Sequence, residues 1–153
     1  MRIDRLTFAA SGLILFALGG CSSAPRQAEP DAGAGAARHA LDMQGKPYRP
    51  GGSSPQGFDC SGLVQYSYPS VNLRLPRNTE GQWASSRAVS RKEIRPGDLL
   101  FFHQEGKRNS HVGIYVGNNR FVHAPSSGKH VLTASLGNPY WSQHFAGARR
   151  PLG

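Results

Sequence analysis

Apolar and polar positions divide the chain into three stretches with different habits. Leu6 to Leu18 is mostly apolar, Ser22 to Ala37 holds no aromatic and no branched aliphatic residue, and periodic patterns begin only beyond Arg38. Within this last stretch, Asp59 to Tyr68 carries Leu63, Val64, Tyr66 and Ser67 at the spacing of one helix face. Asp59 stands where an N-cap belongs, and Pro69 ends the run. The turn Arg95-Pro96-Gly97-Asp98 precedes Leu99 to His103, a short apolar run that predicts a buried strand. His111 to Val116 then alternates, with His111, Gly113 and Tyr115 on one face and Val112, Ile114 and Val116 on the other. Gly117-Asn118-Asn119 turns the chain, and Arg120 to Ala124 returns as the second arm of a hairpin. A helix in the first half and antiparallel strands in the second predict an α+β domain, with helices packed on a central antiparallel sheet.

The register of this hairpin decides what its histidines can do. A two-residue loop at Asn118-Asn119 pairs 114 with 123 and puts His111 and His123 on opposite faces. A three-residue loop, Gly117 to Asn119, pairs 113 with 123 and puts both histidines on one face, a diagonal step apart. The second arrangement needs a left-handed residue at Asn119, which asparagine tolerates better than most. The expectation is therefore the three-residue loop with a bulge.

The apolar stretch near the start follows a basic head and ends in Leu18-Gly19-Gly20-Cys21. It is too short to span a bilayer and has the plan of a secretory signal, residues 1–20. The ending resembles the lipobox of bacterial lipoproteins, which implies that Cys21 is acylated and becomes the mature N-terminus. Two or more acyl chains, at about 0.8 kcal/mol per buried methylene, hold a protein stably on a membrane. Residues 21–37 then read as the lipidated cysteine and a flexible tether, and residues 38–153 as one domain. Ser22 lacks the aspartate associated with inner-membrane retention in enteric bacteria, so the expected location is the cell envelope, on the outer membrane facing the periplasm.

Formal net charge is +9, and +8 without the leader. Export removes nucleic acid as a partner, leaving an anionic membrane face or an acidic wall polymer. The arginines are scattered, with no aromatic ladder between them, so the charge also fits a plain soluble surface.

Composition matters most through its two cysteines. With Cys21 consumed by lipid, Cys60 is an unpaired thiol in an oxidising compartment, a liability unless it does chemistry. At the start of a helix its thiolate gains from exposed N–H groups and the helix dipole, which lower the thiol's pKa. A thiol nucleophile needs a base, and that imidazole needs a third polar group to fix its tautomer. Cys60, His111 and His123 supply all three, with the Cys60 N–H as an oxyanion donor. No Cys/His grouping fits zinc, and no cofactor is expected. His39, His103, His130 and His144 belong to no motif and read as surface or packing residues. Trp83 and Trp141 read as fillers of core or groove, with core favoured.

At these residues the chain resembles the NlpC family of bacterial cell-wall cysteine peptidases, which are papain-like in fold. The resemblance rests on Gly45-Lys46-Pro47-Tyr48, Gly51-Gly52, Phe58-Asp59-Cys60-Ser61-Gly62-Leu63-Val64, Leu75-Pro76-Arg77, Arg95 to Phe102, Ser110 to Gly117, and Phe121-Val122-His123-Ala124, in the family's order. It implies a peptidoglycan endopeptidase that cuts stem peptides, most commonly between D-glutamate, through its γ-carboxyl, and meso-diaminopimelate. By position, Cys60 is the nucleophile, His111 the base and His123 the third polar residue. Tyr48 matches a tyrosine over the active site that holds substrate or oxyanion, and Asp59 and Ser61 match residues lining the substrate groove. Pro50 departs from the aromatic residue frequent before the Gly-Gly pair, which bears on groove shape. Two other readings use the same fold: a wall-binding scaffold lipoprotein with little turnover, and a thiol acyl or peptide transferase in which an amine replaces water.

Overall fold

A computed structural model describes residues 31–68, 73–126 and 128–152, so the leader, Cys21 and Pro69 lie outside the described residues. The first element among the described residues, α1 (Ala32–Leu41), takes up residues 32–37 of the expected tether. Asp31 caps it by accepting the Gly33 N–H at 3.1 Å, and Ala36, Ala37 and Ala40 are buried in the main core. Residues 32–37 offer no large apolar side chain. Here alanine, the best helix former, makes a thin face that lets a helix approach its neighbours closely.

The two-residue strands β1 (Ser53–Ser54) and β2 (Gly57–Phe58) form a small hairpin that leads into α2 (Cys60–Ser67). A short α3 (Thr79–Ala84) precedes β3 (Ser86–Val89), and a single 3-10 turn at Arg91–Glu93 precedes the Arg95–Asp98 turn. Then follow β4 (Leu99–Gln104), β5 (Lys107–Gly117), β6 (Arg120–His123), β7 (Leu132–Ser135), α4 (Pro139–His144) and β8 (Phe145–Pro151). All pairings in the six-stranded sheet are antiparallel, in the order β3-β8-β4-β5-β6-β7.

Both faces of the sheet are covered, which explains why β4 reads as an unbroken apolar run. Leu99 and Phe101 join Val112, Ile114 and Val122 under α1 and α2. Leu100 and Phe102 face the other way, with Phe121, Leu136 and Ala148, and Trp141 of α4 packs on them. Strand β5 begins at Lys107, four residues before the alternation at His111, because Glu105 and Gly106 form a tight turn with positive φ at both (52° and 70°). The turn ahead of β4 is tied to the last strand, since Asp98 takes Arg150 through both guanidinium contacts, at 2.7 and 2.8 Å.

The hairpin of β5 and β6 has the expected register but a different turn. Ile114 pairs with Val122 and Tyr115 with Phe121, which sets 113 against 123. The loop is two residues long, closed by Gly117 opposite Arg120, with Asn118 and Asn119 both left-handed (φ 51° and 57°). The extra residue sits in a bulge between Tyr115 and Gly117. A primed turn matches strand twist, and the bulge restores the parity that a two-residue loop alone would have reversed.

A chain cut to begin at Arg38 loses the Asp31 cap and the buried Ala36 and Ala37. At about 1 kcal/mol for the cap and about 0.8 kcal/mol per methyl, it is expected to unfold in urea at least about 2 kcal/mol more easily than one beginning at Ser22. Equal stability would show that the first turns of α1 do not hold the core.

Candidate active site

Cys60 is the first residue of α2, and the residue before it fixes where that helix starts. The Asp59 carboxylate accepts the Gly62 N–H at 2.7 Å through one oxygen. The other takes the Gly51 N–H at 3.1 Å and Arg77 at 2.7 Å. Arg77 also donates to the Ser61 hydroxyl at 2.9 Å. One carboxylate thus joins the helix start, the glycine loop and the segment after α2. Gly62 is required by closeness, because a Cβ there would drive into the Gly52 carbonyl. Buried Gln82 supports the same end of the helix, donating to the carbonyls of Ser61 and Pro76, each at 2.9 Å.

The two histidines come together as the register requires. His111 Nε2 and His123 Nδ1 are 2.8 Å apart, with the ring planes at 85°. Both are almost fully buried, and the bond between them engages the Nε2 of His111 rather than its Nδ1. Burial alone lowers the His111 pKa to about 4. Burial, then the charges of His111 and Lys129, lower that of His123 to about 3.

The thiol does not follow the expectation drawn from the helix start. Burial pushes the Cys60 pKa up and the Val112 N–H pulls it down. The Asp59 carboxylate then pushes it up, and the N–H groups of Ser61 and of Cys60 itself pull it down, for a net upward shift. Helix-end stabilisation is present but desolvation outweighs it. The resting pair is therefore a neutral thiol and a neutral imidazole, with the N–H groups of Val112, Ser61 and Cys60 directed at the sulfur. Val112, whose N–H acts on the sulfur, follows His111 in the chain.

Cys60, His111 and Tyr48 line one groove of about 730 Å³. Tyr48 bridges to Phe58, and its pKa is raised by burial first and then by the charges of Cys60 and Asp59, against Arg77. Its hydroxyl stays protonated and can donate. Asp59 and Ser61 hold the floor of the site together through Arg77 rather than lining this groove. Further walls come from Trp83, Glu80 on α3, and Glu105, Lys107 and Arg108 at the β4–β5 hairpin tip. Sequence reasoning missed Gln82 and gave Arg77 no role beyond its motif. A buried glutamine in a short helix carries no pattern signal, whereas Arg77, a cation directly after Leu75-Pro76, could have been weighed as the partner of Asp59. Trp83 and Trp141 are both half-buried, the first on the groove and the second against the histidines.

A thiol at a helix start, opposed by a hydrogen-bonded histidine pair on an antiparallel sheet, defines a papain-like α+β domain. The chain belongs to the NlpC/P60 family, whose profile matches residues 45–150. It is 44% identical over 117 residues to murein DD-endopeptidase MepH of Escherichia coli (strain K12), covering 73% of this chain and 43% of that protein. It is 46% identical over 112 residues to the protein of the same strain named murein DD-endopeptidase MepS/murein LD-carboxypeptidase, covering 72% of this chain and 58% of that one. The chain thus spans about half the length of these relatives. Among solved structures it resembles a lipoprotein-like NLP/P60 protein of Staphylococcus aureus subsp. aureus Mu50, with a TM-score of 0.72 and 36% identity, covering 86% of this chain and 45% of that one.

The buried histidines make stability depend on pH. Their folded pKa values lie below the ordinary value of 6.5, so as pH falls the unfolded chain takes up protons first and gains. Stability held above pH 6.5 is lost as pH falls through about 4. Melting temperature should drop across this interval, and less steeply in His123→Asn. An unchanged slope in the variant would contradict a buried neutral His123.

Proposed function

We propose that the protein is a peptidoglycan endopeptidase working by thiol catalysis, with Cys60 as nucleophile, His111 as base and His123 orienting His111. The observation that carries this reading is the 2.8 Å bond between His111 Nε2 and His123 Nδ1, which leaves His111 Nδ1 to serve the thiol that shares its groove. His111 takes the Cys60 proton as sulfur attacks the amide carbonyl. The oxyanion is met by the Cys60 N–H at the helix start and by the Tyr48 hydroxyl. Collapse expels the amine, which receives the proton from His111, and leaves a thioester. Water, deprotonated by His111, then releases the acid and restores the thiol.

The bond cut is an amide whose acyl side is a D-residue and whose amine belongs to meso-diaminopimelate, either the γ-D-glutamyl or the D-alanyl linkage. Relatives named DD-endopeptidases support the second, and the mixed charges of Glu80, Glu105, Lys107 and Arg108 suit a substrate bearing free carboxylates and an amine. An acyl chain on Cys21 would hold the domain at the outer membrane within reach of the wall, and the net positive charge favours that acidic polymer.

One experiment tests both parts. Full-length protein and its Cys60→Ala and Cys21→Ser variants are expressed, fractionated and incubated with purified muropeptides, with products read by mass spectrometry. The wild type should be recovered with the outer membrane and cleave. Cys60→Ala should lose cleavage while keeping its location, and Cys21→Ser should cleave from the soluble fraction. Cleavage surviving in Cys60→Ala would sink the thiol mechanism, and release with the inner membrane would sink the placement.

A further inference from the structure

Trp141 sits on α4, a six-residue helix that nothing in the hydropathy pattern marks. Its ring stacks on His111, with centroids 5.5 Å apart and planes at 26°. The same ring meets His123 nearly at a right angle, at 4.8 Å and 83°. Phe102 and Phe121 meet the indole edge to face, at 4.8 and 5.2 Å. Phe121 also lies 5.0 Å from His123.

His123 poses a problem that these rings answer. It is 1% exposed, its Nδ1 is engaged by His111, and its Nε2 has no hydrogen-bond partner among the described residues. That nitrogen either carries the proton or presents a lone pair. Aromatic faces are electron-rich, so they accept an N–H weakly and repel a lone pair. With the proton on His123 Nε2, its Nδ1 must accept from His111 Nε2–H, and His111 Nδ1 is then bare. The opposite tautomer protonates His111 at Nδ1 and removes the base.

We propose that Trp141 is a positioning residue, fixing His123 as the Nε2–H tautomer and keeping water off the His111–His123 bond. The stacked indole also favours the positive charge that grows on His111 as it takes the thiol proton. This rests on the reading of His111 as the base for Cys60.

The test is the tautomer of His123, read from imidazole ¹⁵N shifts of the full chain in detergent without substrate, alongside muropeptide kinetics. Wild type and Trp141→Phe should both show Nε2–H, and the phenylalanine variant should retain most activity. Trp141→Leu should show mixed tautomers, with kcat down at least about tenfold and KM within about twofold, the pattern of a lost transition-state contribution. An Nδ1–H tautomer in the wild type overturns the proposal even if no variant folds, and so does a leucine variant with unchanged tautomer and kcat. A wild type that shows Nε2–H but cleaves nothing overturns the hydrolase reading and leaves the tautomer assignment standing.

Discussion

The Asp59 carboxylate is the point on which the site depends. Its two oxygens serve the Gly62 N–H of α2, the Gly51 N–H of the preceding loop and the Arg77 guanidinium. The cap alone is worth about 1 kcal/mol. Its larger consequence is geometric, because the next residue is Cys60, and a helix that began one residue later would swing the sulfur away from β5. Ser61 and Gln82 reinforce the same helix end from the far side. The backbone that carries the thiol is thus placed by hydrogen bonds and charge.

Opposite it, a different constraint operates. The bulge before Gly117 and the left-handed pair Asn118-Asn119 decide which face His123 occupies. A one-residue slip would put it on the α2 face, away from His111, and no local repacking could restore the pair. Burial then does two things at once. It holds both imidazoles and the thiol in their neutral forms, and it strengthens the interactions of charges once they form. The N–H groups of Val112, Ser61 and Cys60 are already in place, so a thiolate on Cys60 would call for little reorganisation.

The elements nearest the chemistry were the most legible in the sequence. Asp59 as cap, Cys60 in the first turn, the buried β4 and the hairpin parity follow from short-range rules that tertiary structure did not override. The turn itself was misjudged, because a two-residue loop plus a bulge and a three-residue loop give the same parity. Helix α1 was missed because alanine carries no hydrophobic signature on its own, although three alanines are buried there. The thiol's pKa was misjudged because the helix start is visible in sequence while the depth of burial is a property of the packed whole. Trp141 was invisible as a neighbour of the histidines, since α4 reaches them only after the chain has returned across the sheet. Tyr48 could be placed by motif, but its protonated hydroxyl at the groove is a matter of surroundings.

The coupling of Cys60 to His111 is tested most directly by the pH dependence of Cys60 alkylation with iodoacetamide, in wild type and in His111→Ala. This needs no knowledge of the substrate. With His111 as base, the wild-type rate should already be level between about pH 6 and 8, because the imidazole that accepts the proton is neutral there. In His111→Ala the rate should climb only as the buried thiol ionises, above its ordinary range. Superimposable profiles for the two proteins would contradict the coupling.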